Sequence, residues 1–307
     1  QLSPFVPARN PLLYRRRHVL GFGLNSPFGL GTEWGHKTPF RQVTTNAELM
    51  YIRASFVAGY RLSETLSIGG GVSVNYADAT LEQGLLPYNS VAPTSDYAEF
   101  EGNDVAASFI VGMLWQPHER HSFGAVYRSK ADFDLEGDLD GSAGFGLPLG
   151  KANLGIITPA SAAVGYAFQA TDRLRVEANV EWIDWDNLNV ITIETPFGNL
   201  PTQRFDWEST FVYEIGFSYV VNDCWEIAMG YDYNEGAQPD LYYNPAVADA
   251  DRHWLNAGLN YTRDNVTWQF AYKYGFSDNK VTGSAIGTNG SYDAEHHAIM
   301  LSGAIDF

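Results

Sequence analysis

The side chains best placed for chemistry in this chain of 307 residues are cations set among apolar residues. Tyr127-Arg-Ser-Lys130 puts Arg128 and Lys130 two positions apart, on one face of an extended strand, where paired positive groups could hold a carboxylate. Arg53 and Arg204 are further cations close to apolar runs. Val126, Ile183, Trp185, Val212 and Met300 share faces with polar residues of their own strands, giving otherwise polar surfaces an apolar component. Cations beside apolar surface suit a ligand with a long or bulky apolar body, since each buried CH₂ contributes about 0.8 kcal/mol. A structural role for the same cations stays open, because Glu177, Glu181, Glu214 and Glu226 offer ion-pair partners on neighbouring strands.

Nucleophilic, metal and nucleic-acid chemistry find little support. His296, His297 and Asp293 form a suggestive group, but no nucleophile accompanies them and His297 alternates onto the opposite face, so no catalytic residues are expected. The lone cysteine, Cys224, excludes an internal disulfide and a Cys-based zinc cluster; no metal and no cofactor are expected. A net charge of −17 excludes a nucleic-acid-binding face.

The elements that must carry these residues are strands. From Leu66, the apolar Leu66, Ile68, Val72, Val74 and Tyr76 alternate with Ser67, Gly69, Gly71, Ser73 and Asn75. The same period governs Met50–Arg61, Leu174–Trp182, Phe211–Val221, Trp225–Tyr233, Leu255–Tyr261, Val266–Phe276 and Ile299–Phe307. Phe123, Ala125, Tyr127, Ala131, Phe133 and Leu135 are predicted to share one face, against Arg128, Lys130, Asp132, Asp134 and Glu136. The polar faces are rich in Gly, Ser and Asn rather than the Lys and Glu of a solvated sheet. Short turns near Ser63–Thr65, Pro117–His121, Thr171–Arg173, Asn222–Asp223 and Asp264–Asn265 alternate with long loops. That layout belongs to an all-β transmembrane antiparallel barrel of the bacterial outer membrane, apolar side outward. Charged residues at 18%, below the roughly 25% of soluble domains, fit lipid exposure. No apolar run approaches the roughly 20 residues of a membrane helix.

Counting strands at Phe5–Tyr14 and His18–Ser26 gives thirteen, and bacterial single-chain barrels normally have an even number. With no charged-then-apolar leader after Gln-Leu-Ser-Pro, the expectation is a single barrel domain lacking one upstream strand. Phe307, an aromatic closing the last strand, is the expected signal to the barrel-assembly machinery. Acidic loop residues (Asp96, Glu99, Glu101, Asp104; Asp138, Asp140; Asp249, Asp251) are candidate cation-bridged contacts to lipopolysaccharide, and a monomer is expected.

The sequence resembles the FadL/TodX family of outer-membrane transporters of long-chain fatty acids and other hydrophobic compounds. The resemblance rests on Pro27-Phe-Gly-Leu-Gly-Thr-Glu-Trp34, Gly59-Tyr-Arg-Leu62, Asn75-Tyr-Ala-Asp-Ala79, Tyr127-Arg-Ser-Lys130, Leu135-Glu-Gly-Asp138, Trp182-Ile-Asp-Trp185 and Asp249-Ala-Asp-Arg-His-Trp254, in that order. It implies a fourteen-stranded barrel plugged by an N-terminal hatch, uptake of a fatty acid or hydrophobic small molecule, and sideways release beside a kinked strand. That strand is His18–Ser26, and the kink falls at Ser26, Pro27, Phe28 and Gly29, where proline lacks a ladder N–H. The family's basic residue after the Asn75–Ala79 strand is replaced here by Leu81-Glu82-Gln83, which leaves room for a neutral substrate. A diffusion porin or a structural barrel is the alternative; apolar residues on the inner faces speak against it.

Overall fold

A computed structural model describes residues 17–89 and 95–305; the expected Phe5–Tyr14 strand and Phe307 lie outside them. The first strands are β1 (His18–Asn25), β2 (Gly29–Glu33), β3 (Asn46–Arg61), β4 (Leu66–Gln83) and β5 (Ala98–His118). Next come β6 (His121–Arg128), β7 (Ala131–Gly141), β8 (Gly150–Thr158), β9 (Ser161–Gln169) and β10 (Leu174–Ile183). The short β11 (Val190–Ile191), β12 (Ile193–Glu194) and β13 (Gln203–Arg204) lie in one long loop. The chain ends with β14 (Thr210–Val220), β15 (Trp225–Asn234), β16 (Arg252–Arg263), β17 (Val266–Val281) and β18 (Gly290–Ile305). Twelve of them pair neighbour to neighbour in the order β1-β3-β4-β5-β6-β9-β10-β14-β15-β16-β17-β18.

The period-two reading explains which face each strand buries, and the faces are inside out. Leu20, Ile299 and Leu301 are more than two-thirds exposed on the outer face, while Tyr51, Phe100, Leu135 and Leu154 are closed to solvent inside. Tyr60, Trp115, Tyr166, Tyr219 and Trp225 lie exposed near the short-turn ends of their strands, the position of an interfacial aromatic girdle. The short turns are fixed by their own side chains. Ser63 Oγ accepts from the Thr65 and Leu66 N–H groups, Thr171 Oγ1 from Arg173 and Leu174, and Asn222 Oδ1 from Cys224 and Trp225. At the long-loop end the two extremes of the sheet meet. Trp34 Nε1, just past β2, donates to Pro245 O at 3.0 Å, and its ring packs edge-on against Tyr292 of β18.

One stretch departs from simple alternation. Phe123 and Tyr127 are exposed outside, whereas Ala131, Phe133 and Leu135 are buried inside, so the shared face expected for them splits. The register explains it: β5 pairs Ile110 with Arg128 but Asn103 with Glu136, leaving one extra residue on the β6–β7 side. Ser129 Oγ accepts from Phe109 N, and Asp104 Oδ2 accepts from Asp134 N, so side chains replace ladder partners at this bulge. The flip sends Asp132, Asp134 and Glu136 outward and turns the apolar side of β7 into the barrel.

Beyond the bulge β5 and β7 approach closely through paired glycines, Gly102 and Gly137. A Cβ on Gly137 would lie 1.8 Å from Glu101 O and 2.6 Å from Gly102 Cα, both backbone atoms. Gly137→Val should therefore pry β7 from β5. Loss of the heat-modifiable folded band on gels at temperatures the parent survives, by about 10 °C or more, is the expected result.

Candidate functional site

Inside the barrel, the wall formed by β3, β4, β5, β7 and β8 is apolar. Tyr51, Ala77, Phe100, Phe133, Leu135 and Leu154 form one buried cluster, with Leu49, Ile156 and Ile193 packed around it. Tyr51 and Phe133 meet edge to face at 5.7 Å. The lumen of a water-filled pore is polar and has no use for such a packed apolar cluster. Tyr51 shares the inner face of β3 with Arg53, whereas the β7 members reach the interior only because of the bulge.

The break between β1 and β2 adjoins this cluster. Asn25 pairs with Arg53 and Gly29 with Met50, so Ser26, Pro27 and Phe28 face only Tyr51 and Ile52: a bulge with one extra residue. Ser26 Oγ donates to Phe28 O at 3.0 Å and holds the kink. Phe28 turns inward, edge-on to Tyr51 at 5.3 Å and to Trp185 at 6.1 Å. Gly29 faces outward with open space about it; a Cβ there would meet only Leu49 O, at 3.9 Å. Trp185 also packs on Trp207 at 5.0 Å, linking the cluster to a second one of Phe205, Trp207 and Ala237 in the loops.

The candidate cations separate into neutralised and free. Arg128 pairs with Glu181 at 3.3 Å on the inner face. Lys130 does not join it. At the bulge Lys130 is exposed and pairs with the outward Asp132 at 3.0 Å, which corrects the expectation of a shared face. Arg204 is an exposed loop residue held by Asp206 at 2.6 Å and lies over the Tyr242 ring. Arg53 differs from all three. Its Nε donates to Asn75 Oδ1 at 3.0 Å and its guanidinium lies 5.7 Å from the Tyr51 ring, and among the described residues no carboxylate comes within ion-pair distance. Val126, Ile183, Val212 and Met300 are half-buried on inner faces; outside the two clusters, they line the wall singly.

The opposite wall, β10 and β14 to β18, is polar. Asn179 Nδ2 donates to Glu214 at 3.1 Å, Lys273 Nζ to Asp232 at 2.7 Å, and Asn256 Nδ2 to the other Asp232 oxygen at 2.9 Å. His296 stacks toward Trp254 inside, while His297 bonds Tyr272 outside, so the two histidines act on different faces. Among the acidic loop residues expected to meet lipopolysaccharide, Asp96 is buried against Arg41 instead, a contact with no forewarning in the sequence.

A curled sheet with its apolar face outward, short turns at one end and an apolar inner wall defines an outer-membrane β-barrel whose interior is built for hydrophobic molecules. The chain belongs to the outer membrane protein transport protein family (OMPP1/FadL/TodX), whose model matches residues 15–304. Outer membrane protein P1 of Haemophilus influenzae is 24% identical, over 92% of this chain and 70% of the relative. The long-chain fatty acid transport protein of Salmonella typhi is 20% identical over 78% of this chain, which spans 62% of that protein's length. Among solved structures, a Pseudomonas aeruginosa FadL homologue superposes with a TM-score of 0.78 at 18% identity, covering 94% of this chain and 73% of its own. The Pseudomonas putida toluene transporter TodX gives 0.71 at 20% identity, covering 94% and 78%.

Proposed function

We propose that this chain takes up hydrophobic small molecules, long-chain fatty acids or aromatic hydrocarbons, along its apolar inner wall and releases them sideways at the β1–β2 bulge. The observation that carries the reading is Phe28: a residue of the wall break whose ring is part of the interior cluster. A ligand that displaces the Phe28 ring at the bulge would meet the Tyr51 and Phe133 rings behind it. Arg53, free of a carboxylate partner at the cluster's edge, is the cation we assign to the head group of an acid ligand. Arg128, paired with Glu181, and Arg204, paired with Asp206, are assigned structural roles.

Gly29 gives the test. Its outward position has room for a ring, so Gly29→Trp should cover the bulge from the lipid side while the barrel folds normally. Uptake of a fluorescent long-chain fatty acid by cells carrying the variant should fall about tenfold, with heat-modifiability unchanged. Undiminished uptake rejects this exit. Liposome swelling with small sugars should stay near the protein-free rate; strong sugar flux without lipid uptake would instead identify a porin.

A further inference from the structure

The wall has a second break, on the other side of the apolar cluster. β10 pairs with β9 as far as Ile183, across from Ser161, and β12 rejoins the sheet with Ile193 across from Leu154. Between these points six residues, 155–160, face nine, 184–192. Asp184 N still donates to Ala160 O at 2.9 Å, but beyond it no strand pairs with 155–158 on this side among the described residues. Pro159, with no N–H to offer, stands at the end of the unpaired stretch. The surplus chain bonds to itself instead. Phe205 N donates to Asn189 O at 2.8 Å, and Val190 and Ile191 pair with Arg204 and Gln203. The result is a flap lying across a slit in the ladder.

The two sides of the slit differ. Within, Ile156 and, from the flap, Ile191 pack on the apolar cluster, and the Trp185 ring stands between Trp207 and Phe28. Outside, Gly155 and Ile157 lie across from the outward Asp134 and Asp132. Charge on the outer face of a barrel is costly in hydrocarbon, so this slit opens above the lipid core, in the polar layer. The β1–β2 bulge opens elsewhere, because Leu24, Met50 and Ile52 beside it are exposed and apolar. One apolar interior thus has a break at the polar layer and another at hydrocarbon. The rings behind them, Trp185 and Phe28, stand edge to face at 6.1 Å.

We infer that the slit between β8 and the 184–192 flap is an entry portal for hydrophobic ligands, closed here by Trp185. The inference rests on the interior being a path for hydrophobic compounds, and it adds a direction: in past Trp185, out past Phe28. The test uses the full chain carrying Gly29→Trp, which covers the lipid-side bulge, in lipid nanodiscs. A fluorescent long-chain fatty acid is mixed in by stopped flow, and the signal of protein-free discs is subtracted. A Cβ on Gly155 meets nothing within 4 Å, so Gly155→Trp has room to cover the slit from outside. Added to Gly29→Trp, it should slow association about tenfold and leave the equilibrium affinity within about twofold, since a portal governs rates and not the bound state. Should Gly155→Trp not fold, Trp185→Ala takes its place and should speed association about threefold. An association rate unmoved by the variant overturns the portal while the hydrophobic-uptake reading stands. A loss of affinity as large as the loss of rate overturns it too, by making Gly155 part of the binding surface. Failure of the parent chain to bind the probe overturns both readings together.

Discussion

Replacing Arg41 with methionine should open the long loops, raising chymotrypsin cleavage at Leu85, Leu86, Tyr88 and Tyr97 by about 10²- to 10³-fold. Arg41 has no exposed surface, and Asp96, its partner at 3.1 Å, is nearly as buried. Its guanidinium also donates to Leu86 O, Asp96 O and His36 O, tying the loop after β2 to the loop after β4. Gly84 lies against it, since a Cβ there would fall 2.3 Å from Arg41 Cζ. Losing one partner of a buried pair strands the other charge, at a cost of about 3–5 kcal/mol, whereas removing both costs far less. Arg41→Met with Asp96→Leu should therefore be less protease-sensitive than Arg41→Met alone.

The same pair predicts an acid response. Burial alone would raise the Asp96 carboxyl, but N–H donors from Leu86 and Leu85 and the Arg41 guanidinium outweigh it and hold the carboxyl below its ordinary value. A depressed folded pKa contributes stability that is complete above the unfolded value of about 3.9 and disappears as pH falls through the folded one. Loop protection measured with an acid-active protease should thus be flat from neutral pH to about 4 and fall below it. In the Arg41→Met, Asp96→Leu protein the fall should be absent.

How much of this was legible beforehand depends on how local each cause is. The outward Met50 and Ile52 and the inward Tyr51 and Arg53 follow from a period of two that needs no partner to be read. The kink at Pro27 is equally local, being a missing N–H. The bulge at Ser129 is not: its consequence, the reversal of β7, depends on Asp104, 30 residues away, capping Asp134 N. Without that contact Arg128 and Lys130 look like one cationic face. Arg41 lies in an aperiodic segment, and its partners stand 45 and 55 residues along the chain. Pattern reading therefore finds the alternation of β3 and the break after β1, and misses the β7 and β8 members of the inner wall, the pins that hold the loops and which inner cations lack a carboxylate.

Arg53 carries the last expectation: Arg53→Gln should weaken binding of a long-chain fatty acid about 10- to 100-fold and leave toluene within about twofold. Three other inner-wall cations spend their charge on carboxylates, Arg128 on Glu181, Arg175 on Glu177 and Lys273 on Asp232. Arg53 spends none. Its Nε donates to Asn75 Oδ1, and the Asn75 amide is itself locked, being fully buried with Nδ2 donating to Ala106 O at 3.1 Å and Ser108 Oγ at 3.0 Å. A relay across β3, β4 and β5 thus orients the guanidinium beside Tyr51 without neutralising it. A carboxylate arriving there gains a charge-assisted hydrogen bond on a donor already in place, worth about 1.5–3 kcal/mol. Toluene has no group to use it and should register only the unchanged apolar wall. Arg53→Lys, which keeps the charge but loses the planar fork, should fall between parent and Gln. Equal losses for acid and hydrocarbon would make Arg53 a packing residue, and no loss for either would leave the apolar cluster as the sole determinant of affinity.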